Sequence, residues 1–209
     1  MLSTVIKMHE HPTNIKHTLP AILYKNFEEF NHLENFKKGN ILIRKIGYHQ
    51  NWENKNQRLD TTENKASYSY NVEGMTINGG LSCVNPVYIL STSGPSSNRL
   101  KCRKKFGINE VKIQNPELFR ESLEKAWNGN ELFYAFYNYQ VEYSKGETRE
   151  APLCLLEPSG LSLYQKSKDY SDEEEYRFVF MCKLNPDISC PDSLTLKIDS
   201  SITNHIFES

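Results

Sequence analysis

The run Tyr170-Ser171-Asp172-Glu173-Glu174-Glu175-Tyr176-Arg177-Phe178-Val179-Phe180 holds the side chains with the most chemistry to offer. Its second half reads as a strand, because Tyr, Phe and Val follow one another without Gly or Pro. Alternation then places Tyr176, Phe178 and Phe180 on one buried face, and Glu173, Glu175 and Arg177 on the other. Glu174 faces the aromatic side in that register and is set aside. Two carboxylates so close raise each other's pKa unless a cation stands between them. The pattern is either a solvated acidic strand entry paired with Arg177, or a carboxylate pair aimed into a cleft. In a cleft the pair could move a proton or stabilise a growing positive charge.

Other groups could join it. Ile41 to Tyr48 reads as a strand with Arg44 on the face of Leu42 and Ile46, either as an edge-strand solubiliser or as a cleft cation. Asn85 to Gly94 reads as a buried strand that ends in Ser91-Thr92-Ser93. There Ile89, Ser91 and Ser93 share one face, with Tyr88, Leu90 and Thr92 on the other. Hydroxyls at a strand end also serve as plain turn chemistry. Arg99, Lys101, Arg103, Lys104 and Lys105 form a basic run directly afterwards, a solvated loop or an anchor for phosphates. No aromatics interleave with it, so base stacking there has no support. The polar connection 49–80, with a short hairpin around Ala66–Val72, carries Arg58-Leu59-Asp60 and Glu63. A connection of that length in a compact domain is often functional.

The elements that must position these groups are mostly strands. Residues 1–18 have no clear period and read as an N-terminal arm, leaving 19–209 as a single domain. A first strand spans Leu19 to Lys25. Phe27, Phe30, Leu33 and Phe36 recur at spacing three and predict a short amphipathic helix closed by Lys37, Lys38 and Gly39. Asn115-Pro116-Glu117 opens a second helix, with Phe119, Leu123, Ala126 and Trp127 as its apolar stripe. Glu131 to Tyr143 is an aromatic-rich strand. Cys154 to Leu156 and Leu161 to Tyr164 are short strand pieces, and Leu194 to Ile198 is a last strand. Strands outnumber helices without alternating with them, which predicts an α+β domain of mostly antiparallel sheets.

Composition narrows the classes. The chain has 209 residues, 38% of them hydrophobic and 11% aromatic, enough for an ordered core. A formal charge of −1 argues against a general nucleic-acid coat. No run of about 18 apolar residues predicts a membrane span. Lys7, His9, Glu10 and His11 stand where a signal peptide would need an apolar stretch. The five cysteines are widely spaced and lack a Cys-x-x-Cys pair, which fits reduced thiols in the cytoplasm. The six histidines show no metal-ligand spacing, so no metal site is expected.

A cation on an early strand, a Ser-Thr-Ser strand and a Glu-x-Glu strand stand in one order. This resembles the Arg-Ser-Glu class of the ADP-ribosyltransferase fold. The matching residues are Arg44 or Arg58, with Lys25 as a third candidate cation, then Ser91-Thr92-Ser93 and Glu173-x-Glu175. The ending also resembles small bacterial proteins with Lys-Ser followed by Glu-x-Glu-Tyr-Arg, here Lys166-Ser167 and Glu173 to Arg177; some relatives of that shape are toxins or phage-defence effectors. The resemblance implies split antiparallel sheets and a mono-ADP-ribosyltransferase that uses NAD as substrate. The acceptor it implies is a macromolecule, RNA, DNA or protein, with an antitoxin as a possible partner and no membrane. It gives Glu175 the ribose, where positive charge develops. Glu173 would act as the base on the nucleophile, helped by a raised pKa. Ser91 would hold Glu175 and the ribose, and Arg44 or Arg58 the pyrophosphate, with Thr92 and Ser93 also against the cofactor. Two competing readings are a catalytically inactive module of the same fold that binds a nucleotide or partner, and a metal-dependent nucleic-acid enzyme. The latter lacks a third acid near Glu173 and Glu175.

Overall fold

The computed structural model describes residues 18–46, 65–72, 75–82, 86–128, 130–143, 166–183 and 190–208; for 65–72 and 75–82 it describes the backbone. The expected Arg58, the strand pieces at 154–156 and 161–164, and nearly all of the arm 1–18 lie outside these residues.

The strands are β1 (Leu23–Phe27), β2 (Asn40–Lys45), β3 (Lys65–Val72), β4 (Met75–Ser82), β5 (Val87–Ser93), β6 (Asn109–Ile113), β7 (Phe133–Gln140), β8 (Glu175–Cys182) and β9 (Ser193–Lys197). The helices are α1 (Phe30–Lys37), α2 (Arg99–Phe106), α3 (Pro116–Asn128) and α4 (Thr203–Ile206), with a 3-10 helix at Lys168–Glu173. Every pairing between these strands is antiparallel, as the order of elements predicts for an α+β fold. β3 and β4 form a hairpin of their own, longer than the one expected. The other strands form one sheet in the order β6-β1-β5-β2-β9, with β8 and β7 joined through β5.

β5 is the hub. β8 runs along one of its edges over the whole of Val87 to Ser93, which puts Ser91 opposite Arg177 and Ser93 opposite Glu175. The other edge is shared. β1 reaches it only at Tyr24↔Ser93, and β2 only at Arg44↔Ile89 and Lys45↔Tyr88. Between these contacts Leu90, Ser91 and Thr92 have no strand partner on that edge among the described residues, so the sheet splits there.

Alternation sorts the buried residues. Tyr88, Leu90, Phe178 and Phe180 join Phe36, Phe119, Leu123 and Phe207 in the main core under the helices. Phe119 meets Phe178 edge to face at 5.5 Å, a favourable aromatic geometry. Val87, Tyr137, Tyr139, Val179 and Met181 form a smaller cluster on the opposite face. β7 departs from simple alternation: a bulge between Phe133 and Ala135 sends both Phe133 and Phe136 into the main core, where strict alternation separates them.

The caps act as predicted, but the stripe at spacing three holds only in part: Phe27 belongs to β1 and Phe30 is 62% exposed, which leaves Leu33 and Phe36 as the buried residues of α1. Asn115 caps α3 by accepting the Leu118 N–H at 3.1 Å. Gly39, at φ 86°, follows α1 in the left-handed region that glycine enters without strain. The basic run, read as a solvated loop or a phosphate anchor, forms a helix, α2, with Asn98 accepting the Lys101 N–H at its start. Periodicity misses β6, a five-residue strand paired along its length with β1, and the 3-10 helix.

Candidate functional site

A cleft of about 700 Å³ opens at the split, a size usual for small-molecule sites. Its walls include Lys25 from β1, Arg44 from β2, Ser91 and Ser93 from β5, Lys105 from α2, Lys166, and the carboxylates Glu173 and Glu175.

The three consecutive glutamates do three different things. Glu173 ends the 3-10 helix and so lies off the strand, contrary to the expected Glu-x-Glu strand face. Glu174 takes φ 41°, the only positive φ outside glycine among the described residues. It does not face the aromatic core. Its carbonyl accepts the Gly94 N–H at 2.8 Å and its carboxylate accepts the Ser96 N–H, which pins the loop after β5 to the entry of β8. Glu175 opens β8; its N–H donates to the Tyr143 hydroxyl at 2.8 Å, and its carbonyl accepts from the Val141 N–H. The kink at Glu174 brings the side chains of 173 and 175 back to one wall.

Both carboxylates are buried, at 6% and 5% exposure, and both are paired. Lys166 Nζ lies 3.0 Å from Glu173 Oε2 and 2.7 Å from Glu175 Oε2. Lys105 Nζ holds the other oxygen of Glu173. Arg177, 1% exposed, donates from Nε to Glu175 Oε1 at 2.7 Å and from its terminal nitrogen to Oε2 at 3.3 Å. The result is a chain of alternating charge: Lys105, Glu173, Lys166, Glu175, Arg177. Burial pushes the Glu175 carboxyl up, but Arg177 and Lys166 together pull it further the other way and hold it well below the usual carboxylate range. Lys166 is the cation that stands between the two carboxylates and offsets their repulsion.

The opposite wall is cationic. Arg44 lies on the face of Leu42 and Ile46, all three against the cleft, which is the cleft-cation alternative read from the strand. Lys25 has no side-chain partner within hydrogen-bond distance among the described residues. Burial lowers its ammonium to about 8, against the pull of Glu175 and with the push of Arg44. Ser91 is half-buried on the cleft side, opposite Arg177. Ser93 is buried, its Oγ 3.8 Å from Cys102 Sγ. Thr92 touches the cleft wall, but its side chain belongs to the other face, where the hydroxyl donates to the Tyr176 carbonyl at 3.1 Å.

The basic run is largely absorbed by the fold. Arg99 pairs with Glu110 and stacks over Tyr24, Arg103 reaches Glu110, and Lys101 holds Asp172. Only Lys105 from this run enters the cleft. No spacing rule announces Lys105 and Lys166 as partners of the glutamates, although both stand in motifs visible in the sequence.

Lys25, Arg44, Lys105, Lys166 and Arg177 bring five positive charges to the cleft and its wall. Glu173 and Glu175, with Glu28 and Glu29 at its lining, bring four negative ones. Arg177 stands behind the lining, whose own four cations and four carboxylates balance. Lys105 and Lys166 are paired with the glutamates, so the cationic lip of Lys25 and Arg44 is the part suited to an anion. Among the described residues no group of three His, Cys, Asp or Glu side chains could hold a metal ion, and no helix is long and apolar enough to cross a membrane. No protein-family model, curated protein or solved structure matches the chain.

Proposed function

We propose that the chain is a mono-ADP-ribosyltransferase that cleaves NAD in this cleft and passes ADP-ribose to a macromolecular acceptor. The observation that carries the reading is the pairing of β5 with β8, which sets Ser91 and Ser93 beside Glu175 and Arg177 on a split whose far lips hold Lys25 and Arg44. A split antiparallel sheet with hydroxyls and a carboxylate on one side and cations on the other suits a dinucleotide. Arg44, and Lys25 across the split, would face the pyrophosphate, where a fixed guanidinium fork matches phosphate oxygens. Glu175, held ionised, would accept the ribose 2′-hydroxyl and stabilise the oxocarbenium-like carbon as its bond to nicotinamide breaks. The bonding pair leaves with nicotinamide, an acceptor nucleophile forms the new bond to C1′, and its proton passes to solvent or to a carboxylate. A toxin or anti-phage role with an antitoxin partner belongs to the same reading and rests on the sequence resemblance alone; the cytoplasmic setting rests on the widely spaced cysteines.

One observation favours a second reading, in which the cleft binds a nucleotide without breaking it: both oxygens of Glu175 already hold cations. Incubation with labelled NAD separates the two. The enzyme reading expects nicotinamide release, raised by an acceptor from cell extract, RNA or DNA, and a loss of at least about 100-fold in Glu175→Gln, as for removal of one transition-state stabiliser. Binding of NAD without release selects the second reading. Release undiminished in Glu175→Gln ends the assignment of Glu175.

A further inference from the structure

Two carboxylates with 6% and 5% exposure, two residues apart, should repel strongly enough to drive one of them to take up a proton or swing away. They do neither. One ammonium touches both, at 3.0 and 2.7 Å, and its residue is itself 9% exposed. It belongs to Lys166, which comes from neither the 3-10 helix nor β8 but from the segment leading into them. Its backbone is fixed as well, since the Lys166 N–H donates to the Glu142 carbonyl at 2.9 Å. The ring of Tyr170 lies 5.3 Å from its Nζ, so the ammonium is enclosed by two carboxylates and an aromatic face.

We propose that Lys166 is the positioning residue of the carboxylate pair: its ammonium is what lets Glu173 and Glu175 stand side by side on the cleft wall, both as anions. The other charged and titratable groups facing the pair do not replace it. Of the two carboxylates, Lys105 from α2 pairs with Glu173 and Arg177 from β8 with Glu175, and among the described residues neither bridges both. Lys25 from β1 acts on Glu175 at longer range, with Arg44 from β2 beyond it. Tyr143, after β7, holds the Glu175 backbone; Cys102 of α2 and Tyr170 of the 3-10 helix carry no positive charge. The catalytic consequence, that Glu175 meets a ribose as an anion, rests on the function proposed above. The electrostatic claim does not.

The test compares Lys166→Met, Lys166→Arg and the double variant Lys166→Met/Glu173→Gln with the wild type, by NMR of ¹³C-labelled glutamate carboxyls and by nicotinamide release across pH. In Lys166→Met a new carboxyl step should appear between about pH 5 and pH 8. Lys166→Arg should restore the wild-type titration. The double variant should abolish the new step, because one of the repelling charges is gone. If Lys166→Met does not fold, the double variant should fold, since it lacks the repulsion. A Lys166→Met protein without the new step, or an unfolded Lys166→Met that neutralising Glu173 does not rescue, overturns the proposal. Absence of nicotinamide release from the wild type removes the enzyme reading and leaves the titration outcome to decide the role of Lys166. Where release occurs, Lys166→Met should shift its acid limb upward, and an unshifted profile counts against the proposal.

Discussion

The two edges of β5 differ sharply. One is zipped to β8 from Val87 to Ser93, and every residue of β8 is buried. The other is held by β1 and β2 at its two ends only, with Leu90, Ser91 and Thr92 lacking a strand partner between them among the described residues. The closed edge fixes a carboxylate against a buried guanidinium. The open edge leaves a gap walled by Lys25 and Arg44. A rigid side that places charge and an open side that admits a ligand are two uses of one strand, and they should respond differently to mutation.

The largest effect is expected on the closed edge. Arg177→Met leaves the buried Glu175 without its two-point partner and should cost about 3–5 kcal/mol, read as a lower urea midpoint. The pH dependence should change with it. In the wild type the Glu175 carboxyl is held below its unfolded value of about 4.3, so its stabilisation is complete above that value and is lost only as the pH falls through the lower folded one. The wild type should therefore lose none of this stabilisation between about pH 8 and about pH 5; in Arg177→Met, where burial pushes the Glu175 carboxyl up, stability should instead rise as the pH falls over that range. A stability within about 0.5 kcal/mol of wild type would mean the closed edge is no more constrained than ordinary surface.

The open edge should tolerate change in stability and show it in binding. Arg44→Gln should shift unfolding by no more than about 0.5 kcal/mol, since it empties no core space. The same change should weaken ADP-ribose binding about tenfold, the usual effect of removing one charge-assisted hydrogen bond; calorimetric titration measures both the affinity and its salt dependence. The smallest effect is expected at Lys25. Its ammonium loses its proton near pH 8, so affinity for a phosphate anion should fall as the pH rises from about 7 to about 9. In Lys25→Gln that decline should flatten, with little change in the affinity already reached at the upper end. A decline as steep as wild type would place the titrating group elsewhere.

Much of the fold is readable in advance. The aromatic face of β8, the Arg44 face of β2 and the capping of α3 follow from alternation and cap chemistry, which are local rules. The candidate site is legible only in part. Residue type and order put forward Glu173, Glu175, Ser91 to Ser93 and a cation left open between Arg44, Arg58 and Lys25. Alternation extends the strand to Glu173, because nothing in Glu-Glu-Glu marks which residue turns. The left-handed kink at Glu174 is imposed by contacts with Gly94 and Ser96, which lie far earlier in the chain. The basic run reads as a solvated loop or a phosphate anchor, yet Glu110 and Asp172 take up most of its charge once α2 packs beside β6 and the 3-10 helix.

The sequence by itself determined most of the strands and the helices α1 and α3, most of their apolar faces, and that cations, hydroxyls and carboxylates occur in that order. Periodicity and capping depend on neighbours within a few residues, so one dimension carries them. Tertiary structure alone decided that β1 and β2 share one edge of β5 with a gap between them. It alone decided that Lys105 and Lys166 meet Glu173, and that Lys166 also meets Glu175. Coulomb interaction depends on distance and burial in space rather than on separation along the chain, so the charge state of this site is a property of the folded molecule.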